Sequence, residues 1–322
     1  MGDITKIQWC DATFNPWIGC AKVAPGCEHC YAEADMDKRR GRVKWGVNGT
    51  RSVTSTAYWR KPLKWEREAK AAGVRRRVFC VSLGDVFEDR EELKLWRERL
   101  FDLIDETPNL DWLLLTKRPE NILRMWPLTP GMPPTLVEFD QSGKATGYKQ
   151  WDRATQLMHR PNVWLGTSIS DQATADKAIP KLLKCRDLAP VLFLSAEPLL
   201  GPIDLTGELV SSDGFVSALA DGPIHVSDGG RGIDWIIVGG ESGPNARPCH
   251  MEWIRSLVDQ CRAIGHPCFV KQLGANAWLD SIAFDAADPG ARLTLTDKKG
   301  GDPAEWPEDL RVREFPKVTV QQ

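Results

Sequence analysis

Cys20, Cys27 and Cys30 fall within eleven residues of the stretch NPWIGCAKVAPGCEHCYAEA (15–34), with His29 between the last two. Six residues separate the first pair and two the second. Three thiolates on one loop can fill three positions of a tetrahedral metal or hold three irons of a cubane cluster, and the coordination position left open is what catalysis requires. Pro25 and Gly26 favour a turn that returns Cys20 over the other two. The chain begins MGDITKIQWCDATF, without a basic and apolar leader, and no stretch approaches the roughly 20 apolar residues of a membrane span. A cytoplasmic protein with no membrane partner is therefore expected. Thiols stay reduced in that compartment, so the tight cluster reads as metal-binding or catalytic rather than as a disulfide framework. The scattered Cys80, Cys185, Cys249, Cys261 and Cys268 read as small buried hydrophobes.

Such a loop needs a scaffold, and from residue 78 the chain repeats one: a short apolar run, polar residues, then a helix-like stretch. The runs are VFCVSLGD (78–85), LDWLLLTKRPENI (110–122), NVWLGTSIS (162–170), VLFLSAEPLL (191–200), DWIIVGGESG (234–243) and PCFVKQLG (267–274), with an earlier strand expected near Ile7 to Cys10. Continuous apolar strands alternating with helices indicate a parallel sheet covered on both faces. The expectation is an α/β fold, a full or partial βα barrel of about six to seven parallel strands over residues 1–274, with a doubly wound sheet as the alternative. Loop insertions are expected near 127–161 and 202–232, and a C-terminal extension over 275–322. In either fold chemistry gathers at the carboxyl ends of the strands. Those ends carry Ser82, Gly84 and Asp85; Thr116, Lys117 and Arg118; Thr167, Ser168 and Ser170; Ser195 and Glu197; Gly239, Gly240 and Glu241; and Lys271 and Gln272.

Three close cysteines after the first strand of a βα barrel, with Tyr31 following the last, resemble the cluster loop of radical S-adenosylmethionine enzymes. Over most of its length the chain is similar to a phage-associated three-cysteine protein family, on FNPWIGCAKVAPGCEHCYAE, LLTKRPENI and IIVGGESGPNARPC. Spore photoproduct lyase is a more distant likeness. The cysteine spacing departs from the three-then-two usual among radical enzymes. The resemblance implies a 4Fe-4S cluster on Cys20, Cys27 and Cys30, S-adenosyl-L-methionine on its open iron, and an electron donor protein. It implies cofactor contacts from Gly84 and Asp85, where the family's Gly-Gly-Glu element belongs, from Ser168 and Ser170, and from Glu197. Lys117, Arg118 and Lys271 would pair with substrate phosphates or the cofactor carboxylate, and Glu241 would shape the far side of the pocket.

The net charge of -2 hides an uneven distribution. Fourteen Lys or Arg lie between Lys38 and Arg77 against two acids, Glu66 and Glu68. Aromatic residues are interleaved with these cations, as in faces that bind phosphates and stack unpaired bases. The expected partner is nucleic acid, DNA or RNA, contacted by Arg39, Arg40, Arg42, Lys44, Trp45, Trp59, Arg60, Lys61, Arg75, Arg76 and Arg77. Because Arg75 to Arg77 directly precede a strand, the alternative sets them at its amino-terminal end, away from the rim.

The rival to an iron-sulfur enzyme is zinc, held by Cys10, Cys20, Cys27 and Cys30, or with His29 in place of Cys10. The protein would then be a nucleic-acid-binding module, or a barrel hydrolase using Asp85, Glu197 and Glu241 as acid and base. Cys27-x-x-Cys30 is the one knuckle in the sequence, whereas zinc sites commonly use two.

Overall fold

The computed structural model describes residue 5 and residues 7–128, 135–139, 145–150, 157–211, 214–217, 232–279 and 291–317. Seven strands form one sheet: β1 (Ala12–Phe14), β2 (Arg76–Cys80), β3 (Leu110–Thr116), β4 (Val163–Ile169), β5 (Val191–Ala196), β6 (Trp235–Gly239) and β7 (Cys268–Gln272). Every pairing between neighbours is parallel and the spatial order follows the chain order. The sheet curls into a half-barrel. A doubly wound sheet reverses direction at a switch point, and this one does not, so the partial βα barrel holds and the alternative falls. Helices α1 (Lys61–Ala72), α2 (Leu93–Asp105), α3 (Gln172–Leu183) and α4 (Met251–Ala263) make four of the crossovers.

The first strand starts at Ala12 rather than near Ile7. Residues 7 to 10 instead form a turn closed by Cys10 N–H donating to the Ile7 carbonyl at 3.4 Å. The turn lets Trp9 and Cys10 enter the barrel interior.

Alternate residues of each strand point to one face. On the inner face Phe79, Leu113, Trp164, Val191, Phe193, Trp235, Ile237 and Phe269 join Trp9 and Cys10 in a single buried cluster. The Trp235 ring lies 5.9 Å from both Trp164 and Phe193 and 6.2 Å from Phe269. On the outer face the sheet packs against the apolar stripes of the helices. Farther along the same inner rows the residues turn polar: Lys117 after Leu115, Ser168 after Gly166, Ser195 after Phe193, and Lys271 after Phe269. The amino end of the half-barrel is thus plugged and its carboxyl end chemically equipped.

Gly166 is needed for the plug, since a Cβ there would stand 2.4 Å from the Phe193 ring. Gly166→Val is expected to cost about 1–3 kcal/mol through overpacking, read as a lower urea midpoint at unchanged slope. An unchanged midpoint would show that the ring can move aside.

Residues 291–317 cover the outer edge of β7. Val270 N–H donates to the Val312 carbonyl and Glu314 N–H to the Cys268 carbonyl, each at 2.8 Å. Trp306 and Leu310 are buried there. Arg313 donates to Gln8 Oε1 at 3.0 Å, and Phe315 lies 5.4 Å from Trp235. The tail therefore bridges the gap between the two ends of the curled sheet. Of the expected insertions, residues 129–134, 140–144, 151–156, 212, 213 and 218–231 lie outside the described residues; two antiparallel hairpins, Thr135–Phe139 with Ala145–Gln150 and Glu208–Ser211 with Gly214–Ser217, are described. Among the described residues no helix is long and apolar enough to cross a membrane.

Candidate active site

The cysteine loop leaves β1 at its carboxyl end. Asn15 ties it to the β2 loop, accepting from Leu83 N–H at 2.8 Å and donating to Ser82 Oγ at 3.1 Å. Gly84 permits this approach, because a Cβ on it would lie 2.8 Å from Val81 and 3.1 Å from the Gly19 carbonyl. Trp17 and Ile18 then pair antiparallel with Val53 and Ser52. The Cys20 carbonyl accepts from Gly46 N–H at 2.9 Å. Cys27 ends a single 3-10 turn, Pro25–Cys27, and Cys30 precedes Tyr31–Glu33, which opens into a π-helix over Ala34–Arg39. Such widened turns are rare and concentrate at functional sites.

Contacts from distant strands seat the loop over the mouth. A Cβ on Gly26 would fall 2.4 Å from Ser170 Oγ and 3.2 Å from Pro198 Cδ, so the loop rests on the ends of β4 and β5. Glu241, after β6, accepts from Arg247 Nη2 at 2.6 Å and Nε at 3.0 Å, and faces His29 Nδ1 at 3.0 Å. Arg247 Nη1 also donates to the Pro25 carbonyl at 3.0 Å and to Glu28 at 3.1 Å. Burial opposes ionisation of Glu241, but the Arg247 hydrogen bonds outweigh it and hold the carboxyl below its usual range. Glu241 thus anchors the loop.

All three thiols are free and half-buried. Burial pushes the Cys20 thiol up to about 12, helped by Asp85 and opposed by Arg118, whose Nη1 lies 3.5 Å from the sulfur. Burial also raises Cys30. Among the described residues no three Cys, His, Asp or Glu side chains stand together as a ready-made metal cage. The donor set still suits a thiophilic metal, which displaces such protons on binding. Cys10, the fourth sulfur of the zinc alternative, sits in the aromatic plug with its thiol raised to about 12 by burial. His29 is engaged by Glu241.

The strand ends below form a connected polar floor. Asp85 is buried and accepts from Phe87 N–H at 2.9 Å, Thr116 Oγ1 at 2.7 Å, Lys117 N–H at 3.1 Å and Arg118 Nη1 at 2.8 Å. Arg118 Nη2 reaches the Ala21 carbonyl at 2.9 Å. Asp85 thereby positions Arg118 against the cysteine loop. Lys117 Nζ donates to Ser168 Oγ, which donates to the Glu197 carbonyl at 3.1 Å. Glu197 pairs with Lys271 at 2.7 Å and accepts from Ser195 Oγ at 3.2 Å. Residues from β3, β4, β5 and β7 thus meet in one network under the loop.

The basic segment is largely neutralised. Lys38 pairs with Glu33; Arg39 and Arg40 with Asp35; Arg51 with Glu88; Lys64 and Arg76 with Glu68; Arg75 with Asp111; and Arg77 with Asp11. Apart from Glu68, these acids lie outside the span in which the surplus was counted. Arg76 and Arg77 open β2, so Arg75 to Arg77 stand at the amino end of the sheet, opposite the cysteine loop. Trp59 is buried at 3% exposure, edge-on to Phe14 at 5.6 Å and under the Arg99 guanidinium at 4.2 Å, so its ring has no face for a base. Trp45, like Cys30, packs against the small cluster of Ile18, Ala32, Met36, Val43 and Leu83. Lys61 lies 5.8 Å over the Tyr58 ring. Among the described residues the exposed Arg42, Lys44, Arg60, Arg67 and Lys70 have no ion pair.

Sequence reasoning overlooked Arg247 and the Arg51–Glu88 pair. Arg247 lay inside the quoted motif IIVGGESGPNARPC, where its chemistry was the available signal. Arg51 and Glu88 are 37 residues apart with no shared pattern.

A family model described as "Protein of unknown function (DUF5131)" matches residues 4–299. The chain belongs to that family. Searches of curated proteins and of solved structures returned no match.

Proposed function

We propose that this member of the DUF5131 family is a radical S-adenosylmethionine-type iron-sulfur enzyme acting on nucleic acid, in base repair or modification. The observation that carries the reading is one loop with three free cysteines, latched over the polar carboxyl-terminal mouth of a parallel half-barrel. Cys10, the fourth sulfur of the zinc alternative, is committed to the interior plug. Three thiolates hold a 4Fe-4S cluster with one iron open. When bound, the cluster supplies an electron to the sulfonium of S-adenosylmethionine and so starts hydrogen-atom abstraction from the substrate.

The chain's own residues bind and orient. Asp85 fixes Arg118, and Arg118 fixes the loop at Cys20 and Ala21. Lys117 and Lys271 bring cations, and Ser168, Ser195 and Glu197 hydrogen-bonding groups, to the surface that would receive the cofactor's amino-acid and ribose groups. The apolar plug beneath keeps water out of the barrel floor. Three free thiols suit a reducing cytoplasm, where a small electron-donor protein would serve as reductant.

Anaerobic incubation of the iron-loaded protein with S-adenosylmethionine and dithionite is expected to release 5′-deoxyadenosine, measured by chromatography. A fully loaded protein that releases none would contradict the radical assignment.

A further inference from the structure

We infer that single-stranded nucleic acid docks on the surface made by Tyr31 and the Arg42–Gly49 loop, with a base stacked on the Tyr31 ring and phosphates on Arg42 and Lys44. The inference rests on the reading of the cysteine loop as the reaction centre, because this surface is built onto that loop. Tyr31 directly follows Cys30, and 58% of it is exposed. A single exposed ring carries little information in itself. This one is fixed, however: its hydroxyl donates to the Ser82 carbonyl at 2.6 Å, so the ring face is presented without the entropy a free side chain would lose.

The Arg42–Gly49 loop is tied to the cysteine loop and to the helical turns that follow it. Gly46 N–H donates to the Cys20 carbonyl at 2.9 Å, Arg42 N–H to the Met36 carbonyl at 2.8 Å, and Trp45 N–H to Asp37 Oδ2 at 2.7 Å. Lys44 and Thr50 close the loop on itself through bonds of 3.0 and 2.8 Å. At its tip Val47 is 78% exposed. Unlike the neighbouring Arg39 and Arg40, which share Asp35, Arg42 and Lys44 are exposed and carry no ion pair among the described residues. An uncompensated Arg and Lys on a loop bonded to Cys20, together with a fixed aromatic ring that follows Cys30, match the alternation of phosphate and base in an unpaired strand. A duplex would hide the base faces from the ring, and chemistry on a base requires its release from the stack. Arg75 to Arg77 and Trp59 are excluded from this surface by position and burial.

The test is fluorescence anisotropy of a labelled mixed-sequence 20-nucleotide strand, as DNA and as RNA, on the iron-loaded full chain between 50 and 200 mM salt. Binding is expected, with Tyr31→Ala weakening it about 5- to 150-fold and Tyr31→Phe, which keeps the ring but loses the hydroxyl's tie to Ser82, weakening it less than Tyr31→Ala does. Arg42→Gln and Lys44→Gln should each reduce the log-log salt slope by about 0.7. Arg76→Gln, at the opposite end of the sheet, should change neither quantity. Undetectable binding of both strands at 50 mM salt, indifference to Tyr31→Ala, or tighter binding of the matching duplex would each overturn the inference. Iron content and 5′-deoxyadenosine release, measured on the same preparation, separate the failures. Release without strand binding overturns the docking surface alone, whereas strand binding with these variant effects in a protein lacking iron supports the surface and overturns the radical reading.

Discussion

Glu88→Ala is expected to destabilise the fold by about 3–5 kcal/mol, a large part of the roughly 5–15 kcal/mol that holds an ordinary domain together. Arg51 has no exposed side-chain surface and donates to both Glu88 oxygens at 2.6 Å. Removing the carboxylate leaves a buried guanidinium whose remaining partners are the Thr50 and Gly46 carbonyls. The loss should spread to the site, because Gly46 is hydrogen-bonded to Cys20 and Glu88 also lies 3.5 Å from Arg118. Urea unfolding measures the effect, and the double variant Arg51→Met/Glu88→Leu should recover much of it, since a matched apolar pair leaves no buried charge. A loss below about 1 kcal/mol for Glu88→Ala would show that water reaches the pair.

The second large effect is all-or-none. Cys20→Ala, Cys27→Ala and Cys30→Ala should each empty the proposed iron-sulfur site while leaving the far-ultraviolet circular dichroism of the half-barrel intact, because the three thiols are half-buried on a loop outside the main core. Cys10→Ala should keep the cluster and instead cost stability, because that thiol belongs to the interior plug. Loss of metal in Cys10→Ala with retention in Cys27→Ala would contradict the ligand assignment.

How legible these features were depended on the range of the forces behind them. The half-barrel was readable because six of its seven strands are short apolar runs and four of the crossovers carry a helix whose inward stripe repeats at helical spacing, both local signals. The first strand was misplaced because Ile7 to Cys10 is as apolar as a strand. The turn that tucks Trp9 under Trp235 and Phe79 depends on partners far away in sequence. The polar rim followed from the parallel topology, which brings strand ends together. Which rim residues face the site and which hold it did not follow. Asp85 carries four hydrogen bonds that make it a support, and Glu241 grips the cysteine loop through Arg247. The basic run misled for a related reason: counting charge along a window sees the cations of Arg75 and Arg77 and misses Asp111 and Asp11, which the sheet register sets beside them.

The measurement that tests the central claim most directly is metal and acid-labile sulfide analysis of the full chain purified without oxygen. A site of three thiolates with an open iron predicts about four irons and four sulfides per chain, a brown protein absorbing near about 400 nm, and bleaching in air. One equivalent of zinc with no sulfide would contradict it.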